Sequence, residues 1–345
     1  MKIESIKGYG DHGVSITGIK YPFVQDQIDE LRKLIREESI IVLPQIHFSK
    51  EQFYELATLL GAVYNEKEEY EDSIPYEHQF GYYDNNGYPL LPGMQIVQAR
   101  KIAGKYKGIA PGITRRLNWH NNESERDSVR YKKIYPKGAL FGGRNPFTDN
   151  QDKVNVLPDV VGLQGVKGTI GTITQVCQFI DKFKLETPET QDKFRNMIIQ
   201  WGFVPGDEGI YPDAVNDQDD QHNEDNLDKQ LPLIFQTAGG EEGLHYSPSQ
   251  VTGIVGESKE TYEEFKEYMH NEYMTDTYIY NHEWKDGDIF FMDQRVSVHR
   301  RTDKYLDVSG LDMKYLEQRL LHRIELHLDS QIELVMLGSN AGKVK

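Results

Sequence analysis

Trp284–Lys285–Asp286–Gly287–Asp288–Ile289–Phe290–Phe291–Met292–Asp293–Gln294–Arg295–Val296–Ser297–Val298–His299 is the stretch whose reading decides the fold. Lys285–Asp286–Gly287–Asp288 is a turn signal. Ile289–Phe290–Phe291–Met292 is an apolar run too short for a helix, and after a turn it predicts a strand. Its neighbours point the same way. Tyr278–Ile279–Tyr280 leads into Trp284, a last strand is predicted from Leu320 to Leu328, and Leu244 to Val255 is strand-like. Between them, Lys259 to Tyr273 carries a helical stripe of Tyr262, Phe265, Tyr268 and Met269.

Further upstream the chain stays rich in strands. Met94–Gln98, Gly138–Phe141 and Val160–Val176 read as strand, the last with glycines at 162, 165, 168 and 171, and a helix is predicted over Glu189–Trp201. The opening alternates strand and helix. Val14–Ile19 is a strand, Val24–Glu38 a helix with Ile28, Leu31, Leu34 and Ile35 on one face, and Ile40–Pro44 a buried strand. Ser49 with Gln52 forms a capping signature for a helix reaching about Gly61. Glu66–Tyr88 and the acidic stretch 207–228, nine acids without a base, read as loops. The stretch lacks the glycine-containing spacing of an EF-hand calcium loop. Short strands with glycine turns, and helices mostly in the first half, predict a mainly β fold with α: an antiparallel sandwich or jelly roll in one domain spanning 1–345.

Composition bounds the function. The 345 residues carry 55 Asp+Glu against 39 Lys+Arg, a net charge of −16, which argues against a phosphate backbone as partner. No apolar run approaches a membrane span and the mean hydropathy is −0.64, which argues against a membrane. Met1–Gly10 lacks the pattern of a secretory signal. The lone Cys177 excludes an internal disulfide and a cysteine-based zinc site. A soluble, cytoplasmic protein acting on a small molecule is expected, and a homo-oligomer is compatible with it.

Histidine then carries the chemistry. Of eleven, His120 closes Leu117–Asn118–Trp119–His120 before a polar run, and His299 follows an apolar strand and turn. Arg319 and Arg323 lie 20 and 24 residues beyond His299, an even separation that places both on one face of a strand. Inward arginines are costly unless they meet an anion. The ordinary reading of each histidine alone is a hydrogen-bonded structural residue.

Taken together, Trp119–His120, Gly171–Thr172, Trp284–Asp288, Asp293–Gln294–Arg295 to His299, and Arg319 to Arg323 resemble, in order and spacing, the taurine dioxygenase / 2,4-D dioxygenase (TauD/TfdA-like) family. The likeness covers nearly the whole chain. It implies a double-stranded β-helix (jelly-roll, cupin-like) core decorated by helices. It also implies an oxygenase that uses Fe(II), 2-oxoglutarate and O2, with release of succinate and CO2. Carried over by position, His120 and His299 are the imidazole ligands and Arg319 grips the far carboxylate of 2-oxoglutarate. Thr172 supports that carboxylate, with Thr169 and Thr174 as competitors, and Arg323 lines the pocket. Trp119, Asp293 and Arg295 are packing residues or supports of the ligands.

The chain departs from the family at His-x-Asp/Glu, where it has His120–Asn121–Asn122–Glu123. Three readings stay open. Asn122 coordinates through its carbonyl oxygen, Glu123 reaches the metal through a shifted loop, or the position is vacant. The stretch 123–159 is longer than in simple family members and rich in Arg and Lys. It is expected to form a lid that suits an anionic substrate. The rival readings are a catalytically impaired, ligand-binding member and an oxygenase acting on a macromolecule.

Overall fold

The computed structural model describes residues 1–63, 82, 90–91, 93–97, 100–102, 105–107, 117–121, 159–202, 204, 208, 229–302 and 319–328. The apolar run becomes the strand Ile289–Asp293, buried at every position. It runs inside an eight-stranded sheet, antiparallel to Ile40–Leu43 on one side and to Val160–Lys167 on the other. Gly13–Thr17 and then Lys2–Ser5 extend the sheet past Ile40–Leu43. Leu320–His327, with Ala62–Val63 and Gln95–Val97, extends it past Val160–Lys167. Gly13–Thr17 and Ile40–Leu43 are parallel, so the chain between them must cross over, and the helix Gln25–Glu37 makes that crossing.

Alternation explains the unbroken apolar run. Ile289 and Phe291 point to a layer formed by the helices Gln25–Glu37 and Lys50–Leu60, where they meet Leu31, Ile35, Phe53 and Leu56. Phe290 and Met292 point the other way, into a core with Ile40, Val161, Val176 and Leu321. A strand covered on both faces needs apolar side chains at every position. Truncating such a side chain, as in Phe291→Ala, typically costs about 3–5 kcal/mol. The helix Lys50–Leu60 starts at the expected capping box, with Ser49 accepting from the Gln52 amide and Gln52 Oε1 accepting from the Ser49 amide at 2.9 Å.

A four-stranded sheet supplies the opposite wall, in the order Ile279–Glu283, Ile173–Gln178, Ser297–Arg301, Leu117–His120. Val176 and Tyr280 join it to the inner core. Its outer face is covered by Cys177, Val298 and Trp119 packed with Trp201, Leu244, Tyr246, Phe265 and Tyr273. Two facing sheets, antiparallel except for the pair Gly13–Thr17 and Ile40–Leu43, make the predicted jelly roll.

Four local expectations need correction. The helix expected over Glu189–Trp201 is Pro188–Arg195, followed by the strand Ile198–Trp201. Phe194, Ile198 and Trp201 have helical spacing, but Ile199 and Trp201 also alternate with half-exposed Ile198 and Gln200. Pairing with Lys229–Pro232 and Val251–Ile254 selects the strand. Val160–Val176 is two strands, Val160–Lys167 and Ile173–Gln178, divided at Gly168 and Gly171, both at positive φ. Leu244–Val255 is likewise divided, between Glu242–Leu244 and Val251–Ile254. The helix at Lys259 ends at Tyr268 and finishes as one π turn, Met269–Tyr273. The strand expected at 138–141, and the stretches 123–159 and 207–228 apart from Asp159 and Glu208, lie outside the described residues.

Candidate metal and cosubstrate site

His299 pairs with Val176 on one side and directly with His120 on the other. Partners opposite each other in a ladder project to the same face. Val176 belongs to the inner core, so both imidazoles point into the space between the sheets. Their ring centroids are 4.2 Å apart at an interplanar angle of 47°.

Beside them the ladder is irregular. His299 to Arg301 is two steps, whereas the partners His120 to Leu117 span three, so Leu117–His120 carries one extra residue. Such bulges re-aim side chains. Here His120 Nδ1 lies 2.7 Å from the carbonyl oxygen of Asn118. A carbonyl only accepts, so Nδ1 carries the proton and Nε2 keeps its lone pair, the arrangement an imidazole ligand requires. His299 Nδ1 is buried and has no hydrogen-bond partner among the described residues. Burial pushes His120 down to about 4 despite the Asn118 bond, and the Arg323 guanidinium adds to the effect. Burial, the His120 ring and Arg323 together hold His299 well below the usual histidine range. Both rings are therefore neutral at physiological pH, as metal ligation demands.

The facing wall carries the arginines. Leu321 belongs to the inner core, and Arg323 and Glu325 follow it at even spacing on the same face. Arg323 Nη2 lies 3.5 Å from Glu325 Oε1. Arg319, 6% exposed, precedes the strand by one residue, at the end of the ladder where Leu320 meets Lys167. The strand thus begins one residue after Arg319, not before it. Thr172 donates its hydroxyl to the Thr169 carbonyl at 2.7 Å, and the Thr169 hydroxyl bonds Asp286. Thr174 Oγ1 instead accepts from Trp284 Nε1 at 2.9 Å, which leaves its own proton for a ligand.

Two positions went unremarked in the sequence. Arg301 is buried and pairs with Thr174, on the same face as His299. Its separation of two from His299 was the available signal. Asn121 is 2% exposed, and neither of its side-chain polar atoms has a hydrogen-bond partner among the described residues. The residues first read as packing or support separate cleanly. Trp119 packs on the outer face beneath the Arg300 guanidinium, 4.4 Å from the ring centroid. Arg295 bridges Asp293 at 2.6 Å and Asp159 at 3.3 Å in a fully buried ion cluster. Among the described residues no group of three or more His, Cys, Asp and Glu could hold a metal ion. Asn122 and Glu123 lie outside the described residues.

Residues 182–324 match the model of the family described as Taurine catabolism dioxygenase TauD, TfdA family. Over that stretch the chain is similar to the TauD/TfdA family. Among curated proteins none matches it. A taurine dioxygenase from Burkholderia xenovorans superposes with a TM-score of 0.59 at 15% identity, over 94% of this chain and 88% of that one. AAD-2 in complex with Mn(II) and N-oxalylglycine gives 0.59 at 13% identity, over 94% and 96%. At these identities the structures speak to the fold, and they agree with the jelly roll. Proteins of that family are Fe(II)- and 2-oxoglutarate-dependent dioxygenases that use O2. Its neutral, inward-facing imidazoles, one with an orphaned buried nitrogen, fit an Fe(II) ion.

Proposed function

We propose that this chain, a single domain over residues 1–345, is an Fe(II)- and 2-oxoglutarate-dependent oxygenase that oxidises an anionic small molecule at a site built from His120, His299, Arg319 and Arg323. The observation that carries the reading is the direct pairing of His120 with His299 across one ladder. These two rings would hold Fe(II), and Asn122 stands at the register position of the third ligand. Arg319 would grip the far carboxylate of 2-oxoglutarate, because a guanidinium meets a carboxylate through two parallel hydrogen bonds. Thr174, with its proton available, suits the supporting hydroxyl better than Thr172.

Bound Fe(II) with 2-oxoglutarate and O2 supplies an oxidant strong enough to remove a substrate hydrogen, with succinate and CO2 as co-products. The protein's part is positional. The Asn118 carbonyl fixes the His120 tautomer, and the apolar side chains of Val176, Leu321 and Met292 keep bulk water from the space between the sheets. An amide at position 122 removes one negative charge opposite the cation. That lowers metal retention and leaves net positive charge for anions. One guanidinium serves the cosubstrate, and Arg301 and Arg323 bring further positive charge to the same space, that of Arg323 offset in part by Glu325.

No helix among the described residues is long and apolar enough to cross a membrane. The acidic, cysteine-poor composition supports a cytoplasmic site of action. Anaerobic addition of Fe(II) and 2-oxoglutarate tests the site. A weak visible charge-transfer band is expected, lost in His299→Ala and Arg319→Ala. Succinate release should then be stimulated by members of a panel of small anions. Silence at millimolar metal would reassign the chain to ligand binding, and stimulation only by a polymer would move the substrate to a macromolecule.

A further inference from the structure

Among the described residues Leu117–His120 is an edge strand of the four-stranded sheet, laddered to Ser297–Arg301. An edge buried inside a protein must find partners for its outward N–H and C=O groups. Among the described residues no strand supplies them. Ser247 Oγ donates to the Trp119 carbonyl at 3.0 Å. Gln250 does more. Its Oε1 accepts from the Asn121 amide at 2.7 Å and its Nε2 donates to the Asn121 carbonyl at 3.0 Å, so one side-chain amide closes on both groups of one residue. That is the pairing an antiparallel neighbour would provide.

The clamp is rigid and dry. Ser247, Gln250 and Asn121 are 0%, 1% and 2% exposed. The Gln250 amide bonds the Ser247 carbonyl, and the Gln250 carbonyl accepts from Gly202 at 2.8 Å. The gripped residue stands between His120 and Asn122, the proposed ligand and the register position of the third one. The Asn121 side chain itself has no hydrogen-bond partner among the described residues.

We propose that Gln250 is a positioning residue of the metal site. By gripping the Asn121 backbone it holds the end of the strand from which the His120 ring is presented to the ion. The inference rests on the two-imidazole reading above.

Metal-free protein titrated with Co(II), followed by its visible ligand-field absorption, tests it. Gln250→Ala removes both bonds. Gln250→Glu keeps size and the acceptor for the Asn121 amide but turns a second acceptor toward the Asn121 carbonyl. Support of a ligand backbone is comparable to other outer contacts of metal sites, so affinity should fall about 10–100-fold in both variants. Val251→Ala, one residue further on in the outer core, provides a destabilised control expected to stay within about threefold of wild type, as is usual for a site away from the ion's supports. Should Gln250→Ala fail to fold, Gln250→Glu decides alone. Wild-type Co(II) affinity in a folded Gln250 variant, with wild type still binding, overturns the clamp's role. A wild type that binds no Co(II), or a His299→Ala that binds equally well, overturns the two-imidazole reading and the clamp with it.

Discussion

His120 Nδ1 and the Asn118 carbonyl oxygen lie 2.7 Å apart within one strand, a contact set up where that strand carries an extra residue. The bond decides which nitrogen faces the space between the sheets. Nitrogen-15 spectra of metal-free protein at pH 7 should show a neutral His120 protonated at Nδ1. A proton on Nε2 would remove the case for this ring as a ligand.

Arg323 opposes positive charge at both imidazoles, since it depresses their protonation. It must oppose a metal ion by the same field. Arg323→Gln should therefore bind Co(II) more tightly when no anion is present, by about tenfold for a charge several ångströms away in a partly screened interior. Arg319→Gln should instead leave the metal alone and raise the KM for 2-oxoglutarate at least about tenfold, as loss of a bidentate charged contact implies. A weaker Co(II) site in Arg323→Gln would contradict the assignment.

His322 sits on the other face of its strand. Its Nδ1 donates to Gln164 Oε1 at 2.8 Å and its Nε2 accepts from the Tyr82 hydroxyl at 2.6 Å. Burial and the nearby Lys50 charge push it down to about 4. Unfolded histidine titrates near 6.5, so between these values the unfolded chain binds more protons and stability falls with falling pH. The contribution is complete above about pH 6.5 and lost toward pH 4, up to about 3 kcal/mol at about 1.4 kcal/mol per pH unit. Urea unfolding of His322→Gln across that range should show a flatter slope. An unchanged slope would mean that the ring is not held neutral by the fold.

Arg295, with Asp293 and Asp159, is buried at the point where Asp159 Oδ2 also accepts the Leu328 amide. Removing the cation leaves two carboxylates without compensation. Arg295→Met should cost about 3–5 kcal/mol in urea unfolding, as breaking a buried pair does. A loss under about 1 kcal/mol, the range of exposed pairs, would show that water reaches the cluster.

The fold was legible where one local pattern dominated. Ile289–Met292 could only be a strand covered on both faces, and the Ser49–Gln52 box announced its helix. Phe194, Ile198 and Trp201 satisfied helix and strand periods together, and there a partner strand distant in sequence decided. His120, His299 and the arginines were legible as a long ordered pattern. Gln250 was not, because its partner lies 129 residues away and an isolated glutamine carries no local signal. Nor does sequence say where a hydroxyl proton points, which is what separates Thr174 from Thr172.

The imidazoles ride on one sheet and the guanidinium of Arg323 on the other, with Phe290, Met292, Leu321 and Val176 packed between the two walls. Those hydrocarbon side chains work as the spacer of a caliper. Shaving Phe290 to leucine touches no proposed ligand, yet it would change the distance between the two jaws. The span between the imidazole wall and the arginine wall is thereby set by hydrocarbon side chains that make no hydrogen bond.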